Sequence, residues 1–332
     1  MDRYRTRIAD TPGPGWDESL LLGSTGSLAL YQTSHWAARQ EELQSFKPAY
    51  ITVEDQDQAV LRLTVFASNP FKLRGARNIA HGLYHALRSG KRGSLLWHGQ
   101  PVAFTGAEES AYRALAQAVD GFAAERSLRV SAGEWPLDMA AALPERWKRK
   151  KWATLKVELT PEPEEIFAGF KSSARKAIKK AQQDGITVRR VADLVELEQY
   201  YHFAAECARR YHKSLIGFRD FSSMWQYLRP NGIYETFIAE HDGEMIAGLS
   251  VWGYGDCIGE VGSFQSGRSF REKLYGPDLI KWEMLRWACG RNLKIFDLAG
   301  INPEPRDEKE KNIRRFKEKW GGGIFYYLMI TV

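Results

Sequence analysis

Two sets of residues have the types and spacing to do chemistry. The first lies near the C-terminus, in residues 308–320. There Ile313, Phe316 and Trp320 recur at i, i+3 and i+7, the spacing of a buried helical stripe. At about 100° per residue, Phe316 and Trp320 fall roughly 60° and 20° to one side of Ile313, and Lys317 roughly 40° to the other. Arg314, Arg315, Glu318 and Lys319 point elsewhere on this wheel, so Lys317 is the one charge directed at the protein. Such a lysine either snorkels along apolar surface or projects into a cleft, and the geometry leaves both open. The second set is a column on the helix expected over residues 164–183. Lys171, Arg175 and Lys179 stand four apart, joined by Lys176 and Lys180. Like charges at this spacing repel by a few tenths of a kcal/mol per pair, which a polyanion would offset and a solvated face would tolerate.

The charge is concentrated in the same region. The chain carries 47 Lys and Arg against 41 Asp and Glu, a net charge of +6. Between Glu145 and Lys180 there are eleven basic residues against five acidic, so this segment holds a surplus equal to that of the whole chain. A local basic band points to a phosphate-bearing partner.

Other chemistries find little support. His81 and His85 stand at i, i+4 but lack the glutamate of a zinc helix and a third ligand. Cys207, Cys257 and Cys289 are far apart, arguing against a disulfide framework or a zinc site; no metal is expected. The chain has no phosphate loop, no dinucleotide-binding glycine motif and no serine-hydrolase elbow. With 44% hydrophobic and 12% aromatic residues it is neither disordered nor fibrous. No run approaches the roughly 18 apolar residues of a membrane span, and the first residues lack a secretory apolar region. A cytoplasmic globular protein is expected.

The elements that must position these residues fall into two units, 1–148 and 149–332, with the connection at residues 135–151 read as a linker and the last strand free to pack on either unit. The first unit reads as a short strand or turn running into a helix at residues 26–43, two strands joined at Asp55-Gln56-Asp57, a helix over 107–125 and a strand. The second opens with a strand at 153–159. Thr160 is placed to cap one long helix, and Gly185 to end it. Ile166, Phe170, Ala174, Ala177, Ile178 and Ala181 form its apolar stripe. A strand, two helices and two strands about the hairpin turn Asp242-Gly243 follow, then helix, strand, helix, strand. Hairpins mixed with a late crossover helix make this α+β. No internal repeat of 20–50 residues is present.

Several stretches resemble the Fem-type aminoacyltransferases: KIFDLAGINPEP followed by IRRFKEKWGG, YQTSHWA, the segment from Val157 to Arg190, AEHDGEMIAGLSV and LYGPDLIKWEMLRWA. They run in order from about Trp16 to Gly322. The resemblance implies two tandem GNAT-like lobes with mixed β-sheets, here without the coiled-coil arm that many members carry. It implies transfer of an amino acid from aminoacyl-tRNA to an amine, typically on the peptide stem of a peptidoglycan precursor, UDP-linked or lipid-linked. No cofactor beyond the aminoacyl-tRNA is implied, and a lipid-linked acceptor would bring the protein to the inner face of the membrane.

Residue by residue, the family's Phe-Lys pair falls on Phe316 and Lys317, and the resemblance implies that Lys317 stabilises the oxyanion of the transition state. Tyr275 matches a cleft-lining aromatic, and Asp297 lies in the family's D-L-G-G-like strand. Trp36 lies in the Trp-Ala element. Relatives have a lysine just after it, where this chain has Ala38, Arg39 and Gln40. Arg210 and Arg219 are the candidates for a nucleotide-linked acceptor. Lys171, Arg175, Lys179 and Arg314 would meet tRNA phosphates. The competing enzyme is an acyl-CoA-dependent N-acyltransferase acting on a cell-envelope sugar or small-molecule amine. Against it, residues 267–279 lack the usual pyrophosphate loop and Pro277 removes an amide. A basic RNA-binding module would leave Lys317 unexplained.

Overall fold

In a computed structural model of the chain the described residues are 3–23, 29–68, 93–210, 212 and 214–331; His81 and His85 lie outside them. The chain divides into two compact units, residues 1–152 with 326–332, and residues 153–325. The boundary falls inside strand β7 (Lys148–Glu158), so the basic run expected as linker is β-strand. The C-terminal strand β13 (Gly323–Thr331) pairs from Tyr327 onward with β6 (Leu128–Pro136) of the first unit.

In the first unit, β1 (Tyr4–Ala9), β2 (Lys47–Asp55) and β3 (Gln58–Ser68) form an antiparallel set. The β2–β3 turn carries Gln56 and Asp57 at φ +49° and +64°. Helix α1 (Trp16–Gly23) and helix α2 (Ser34–Gln44), capped by the Thr33 hydroxyl, precede β2. Strand β4 (Gly93–Leu96) pairs antiparallel with β3 and parallel with β6, and β5 (Val102–Ala103) pairs with β3. Helix α3 (Glu109–Glu125) connects these parallel strands and covers the sheet with Tyr112, Leu115, Val119 and Phe122.

In the second unit the strand order is β7, β12 (Ile295–Ile301), β11 (Cys257–Gln265), β10 (Glu244–Tyr254), β9 (Tyr234–His241), β8 (Thr187–Arg190). All neighbours are antiparallel except β11 and β12. The hairpin turn falls on Asp242 and Gly243, at φ +53° and +76°. The stretch after it holds one strand more than the sequence pattern indicated, because alternation is lost at Gly253-Tyr254-Gly255, where β10 turns into β11.

The long helix expected from residue 164 is two. Helix α4 (Pro163–Gly169) is capped at Glu162, with Pro163 at its first position. The Thr160 hydroxyl donates to the Glu162 carbonyl at 3.0 Å instead of capping. Phe170, extended at ψ 150°, breaks the run, and Lys171 caps α5 (Ser172–Gln183). The apolar stripe is buried as its spacing indicates, from Ile166 to Ala181. At the C-terminal end, Gly185 at φ +74° lets its amide reach Gln182 O and that of Ile186 reach Ala181 O, both 3.1 Å, a Schellman closure. Helices α6 (Leu194–Arg210), α7 (Phe218–Tyr227), α8 (Gly267–Glu272), α9 (Gly276–Cys289) and α10 (Glu308–Glu318) complete the unit. Helix α9 lies on α5, β9 and β10, and its Leu279, Ile280, Met284 and Leu285 are core. Among the described residues no helix is long and apolar enough to cross a membrane.

Candidate active site

The parallel strands β11 and β12 pair only at Cys257–Ile295, Ile258–Phe296 and Gly259–Asp297. Both continue, β11 to Gln265 and β12 to Ile301, without pairing further. Diverging parallel strands leave a crevice at their carboxyl ends. The residues beside this divergence form a charged cluster of three ammonium groups and three carboxylates within the second unit.

Asp297, 8% exposed, accepts from the Thr154 hydroxyl and from the Ala299 amide (2.8 Å). Burial raises its carboxyl above the usual range, while Thr154, Lys156, the Ala299 amide and Lys317 oppose the rise. β12 is irregular just beyond it, between Asp297 and Gly300, and Ala299 takes φ +63°, a strained value for alanine. The Ala299 and Gly300 carbonyls both accept from Lys317 Nζ, at 3.1 and 2.9 Å.

Lys317 is half-buried, and burial pulls its amine below the ordinary lysine range. Glu260 and Asp297 oppose that shift and Lys281 adds to it. An ammonium has three donors. Two are spent on carbonyls, and among the described residues Lys317 makes no ion pair. The other two cations are neutralised. Lys281 of α9, 1% exposed, pairs with Glu260 of β11, its ammonium about equidistant from the rings of Trp320, Phe296 and Phe316 (5.5, 5.6 and 5.7 Å). Lys319, its side chain 15% exposed, pairs with buried Asp278 at the start of α9. Burial raises the Asp278 carboxyl against the pull of Lys319 and Lys281.

This arrangement corrects the helical-wheel reading of α10. Only Trp320 of the expected stripe is buried; Ile313 and Phe316 are 42% and 37% exposed. Lys317 is not alone in pointing inward, since Lys319 does too. The wheel failed because only the C-terminal end of α10 is docked: none of the residues Glu308–Glu318 is buried, whereas Lys319 and Trp320 just beyond them turn to the core. Phe316 stays at the site as a ring 4.2 Å from the Lys319 ammonium. Arg314 is committed to Glu318 (2.8 Å) and Pro303 O (3.1 Å).

The other expected residues are dispersed. Tyr275 caps α9 at φ +53° and packs half-buried on the core. Its carbonyl accepts the amides of Asp278 (3.1 Å) and Leu279 (3.2 Å). With Pro277 lacking an amide, the start of α9 offers little to a pyrophosphate. Arg210, exposed, donates to Gln265 O at the end of β11 (2.5 Å); Arg219 is on the exposed side of α7. In the basic column, Lys171 faces Glu318 at 3.8 Å and Arg175 turns back onto the Ala168 (2.9 Å) and Phe170 carbonyls. Lys176 and Lys179 remain exposed.

Trp36 and Arg39 belong to the first unit and are interior, 5% and 6% exposed. The Arg39 guanidinium lies 5.2 Å from the Trp36 ring and donates to Gln40 at 3.1 Å. His98 contacts Gln40 at 3.1 Å, and burial, with Arg39 adding, lowers it to about 4.

Sequence reasoning missed Lys281, Glu260, Lys319 and Asp278. Lys281 left a trace, a lysine set among the core-forming Leu279, Ile280, Met284 and Leu285 of α9. Glu260 left none.

Residues 168–317 match the acetyltransferase (GNAT) domain family. A curated relative, the UDP-N-acetylmuramoylpentapeptide-lysine N(6)-alanyltransferase of Weissella viridescens, is 23% identical over 142 residues, 42% of this chain and 40% of that protein. The match therefore spans well under half the relative's length. The crystal structure of FemX superposes with a TM-score of 0.74 at 12% identity, covering 97% of this chain and 96% of that one. A tandem GNAT protein from the clavulanic acid biosynthesis pathway superposes at 0.53 with 10% identity, covering 99% of each chain. At these identities the structural likeness concerns fold, which is α+β with two tandem GNAT-like units. Residues 168–317 thus match a GNAT domain, and the sequence match and the fold liken the chain to the Fem-type transferases.

Proposed function

We propose that the chain is an aminoacyltransferase, moving an amino acid from aminoacyl-tRNA to an amine on the peptide stem of a peptidoglycan precursor. The observation that carries this reading is Lys317, the one ammonium of the cluster not neutralised by a carboxylate, beside the divergence of β11 and β12. The acceptor nitrogen attacks the carbonyl carbon of the ester, and the carbonyl oxygen becomes an oxyanion. The third N–H of Lys317 donates to it, worth about 3–4 kcal/mol in a site shielded from water. The carbon–oxygen bond to ribose then breaks, an amide remains, and the amine's proton leaves on the ribose hydroxyl. No covalent enzyme intermediate is needed, since an amine attacks an activated ester directly.

The W. viridescens relative supports the acceptor class. The occupied amides at the start of α9 support a donor without a pyrophosphate to hold. Lys176 and Lys179 would meet tRNA phosphates. Use of charged tRNA implies a cytoplasmic enzyme, needing no metal and no cofactor besides the tRNA. One observation favours a second reading, acyl-CoA-dependent N-acylation: the GNAT match over residues 168–317.

The test incubates the purified protein with tRNA charged with labelled alanine and either UDP-linked or lipid-linked pentapeptide, with acetyl-CoA in parallel. Label in a pentapeptide product from charged tRNA is the expected result. Acetylation without alanyl transfer would overturn it in favour of the second reading. A preference for lipid-linked acceptor would place the enzyme at the inner membrane face.

A further inference from the structure

The basic surplus that the candidate site does not use lies in the first four residues of β7. Lys148, Arg149, Lys150 and Lys151 are all exposed, and among the described residues none of them has a carboxylate partner. Arg149 is committed to the Ala140 carbonyl at 2.7 Å. The three lysines are not. The Lys150 ammonium lies 4.6 Å from the ring of half-buried Trp152, and that of Lys151 4.2 Å from the ring of exposed Tyr326. All six residues belong to the first unit. Lys148, Lys150 and Trp152 alternate onto one face of the strand, successive members about 6.7 Å apart, the scale of one extended nucleotide step.

We infer that this face of β7, Lys148, Lys150 and Trp152, is a docking surface for single-stranded RNA, and that it engages an unpaired segment of the donor tRNA; the inference rests on the donor proposed above. Cations interleaved with rings fit a chain of phosphates whose bases stack on side chains. A membrane surface calls for apolar groups that protrude past the cations, whereas the Trp152 ring lies 4.6 Å beneath the Lys150 ammonium. The α5 column is the weaker candidate, because Lys171 and Arg175 are already bonded within the protein.

The test compares full-length wild type with the double variant Lys148→Gln/Lys150→Gln and with Trp152→Leu. The readouts are binding of alanyl-tRNA across a salt series, binding to phosphatidylglycerol vesicles, and transfer kinetics. The strip predicts a salt slope shallower by about 1.4 in the double variant, at roughly 0.7 per lost phosphate contact. It also predicts binding at least about tenfold weaker in Trp152→Leu, with KM for tRNA raised and kcat kept in both. An unchanged slope and KM in a variant of wild-type melting temperature would overturn the inference and leave the donor assignment standing. Loss of vesicle binding alone would overturn it in favour of a membrane-facing strip. Wild-type protein that neither binds nor uses alanyl-tRNA would overturn the donor reading itself, and the strip's RNA role with it.

Discussion

Among the described residues each unit contains one parallel strand pair joined through a helical connection, and the two pairs end differently. In the first unit β4 and β6 stay paired along all of β4, and Trp97 extends the ladder by donating its amide to Ala132 O at 3.1 Å. The Trp97 ring then fills the space beside the ladder. It is 2% exposed, its indole N–H bonds Glu134 O at 2.9 Å, and its nearest aromatic neighbours are Trp147 and Trp135 at 5.8 and 6.4 Å. In the second unit β11 and β12 part after three residue pairs, and charged groups stand where a tryptophan stands in the first. The same supersecondary plan is closed by an aromatic plug in one unit and kept open by a lysine-carboxylate cluster in the other. A packed ring makes a core, whereas an unneutralised ammonium beside unpaired strand ends makes a candidate site.

The largest effect that would sharpen this contrast is on turnover. Lys317→Ala should lower kcat about 10²- to 10³-fold with little change in melting temperature, since α10 buries no residue of its own. Wild-type turnover in a folded variant would end the catalytic assignment. Because burial lowers the Lys317 amine, a mechanism needing the ammonium loses activity as pH rises through that lowered value. The alkaline limb of the pH–rate profile should thus begin below the ordinary lysine range.

Next in size is the acid response of the first unit. His98 titrates at about 4 when folded and near 6.5 when unfolded. Below about pH 6.5 the unfolded chain takes up a proton that the fold excludes, so stability falls as pH drops toward 4, by up to about 3 kcal/mol. Urea unfolding at pH 7 and 4.5 measures this, and His98→Gln should remove most of the difference. Equal loss in the variant would assign the acid response to other groups.

The plug itself can be overfilled. A Cβ at Gly133 would stand 2.0 Å from the Trp97 ring, so Gly133→Ala should cost about 1–3 kcal/mol. Its kcat should stay at the wild-type value while folded; a matching fall in kcat would erase the distinction between the two pairs. The smallest effect runs the other way. Ala299→Gly relieves a left-handed backbone at the Lys317 acceptor and should stabilise by up to about 1 kcal/mol, read as a rise in melting temperature. Destabilisation would mean that the strained turn is held by its methyl contacts.

Much of this molecule was legible without coordinates, and the legible parts share a property. The Asp242-Gly243 turn, the Gly185 helix end, the α5 stripe and the paired strands at Asp55–Gln58 are specified by neighbours within a few residues, through positive φ and periodic apolar spacing. Helix α10 shows the limit of such reasoning. Its composition indicates a buried stripe with one inward lysine, yet only its end is docked, and Lys319 turns inward as well. The break at Phe170 escaped for the same reason, since packing overrode a continuous local pattern, whereas the third strand at Cys257 escaped because alternation is lost at Gly253-Tyr254-Gly255.

The sequence by itself determined the two-unit α+β plan, the basic band and Lys317 as a lysine of interest. Only the tertiary structure decided which charges remain available to a ligand. Lys281 meets Glu260 across 21 residues and Lys319 meets Asp278 across 41, and those pairings leave Lys317 as the cation without a carboxylate. A charge is neutralised by what lies within a few ångströms of it, and in a fold of this kind such neighbours come from distant parts of the chain.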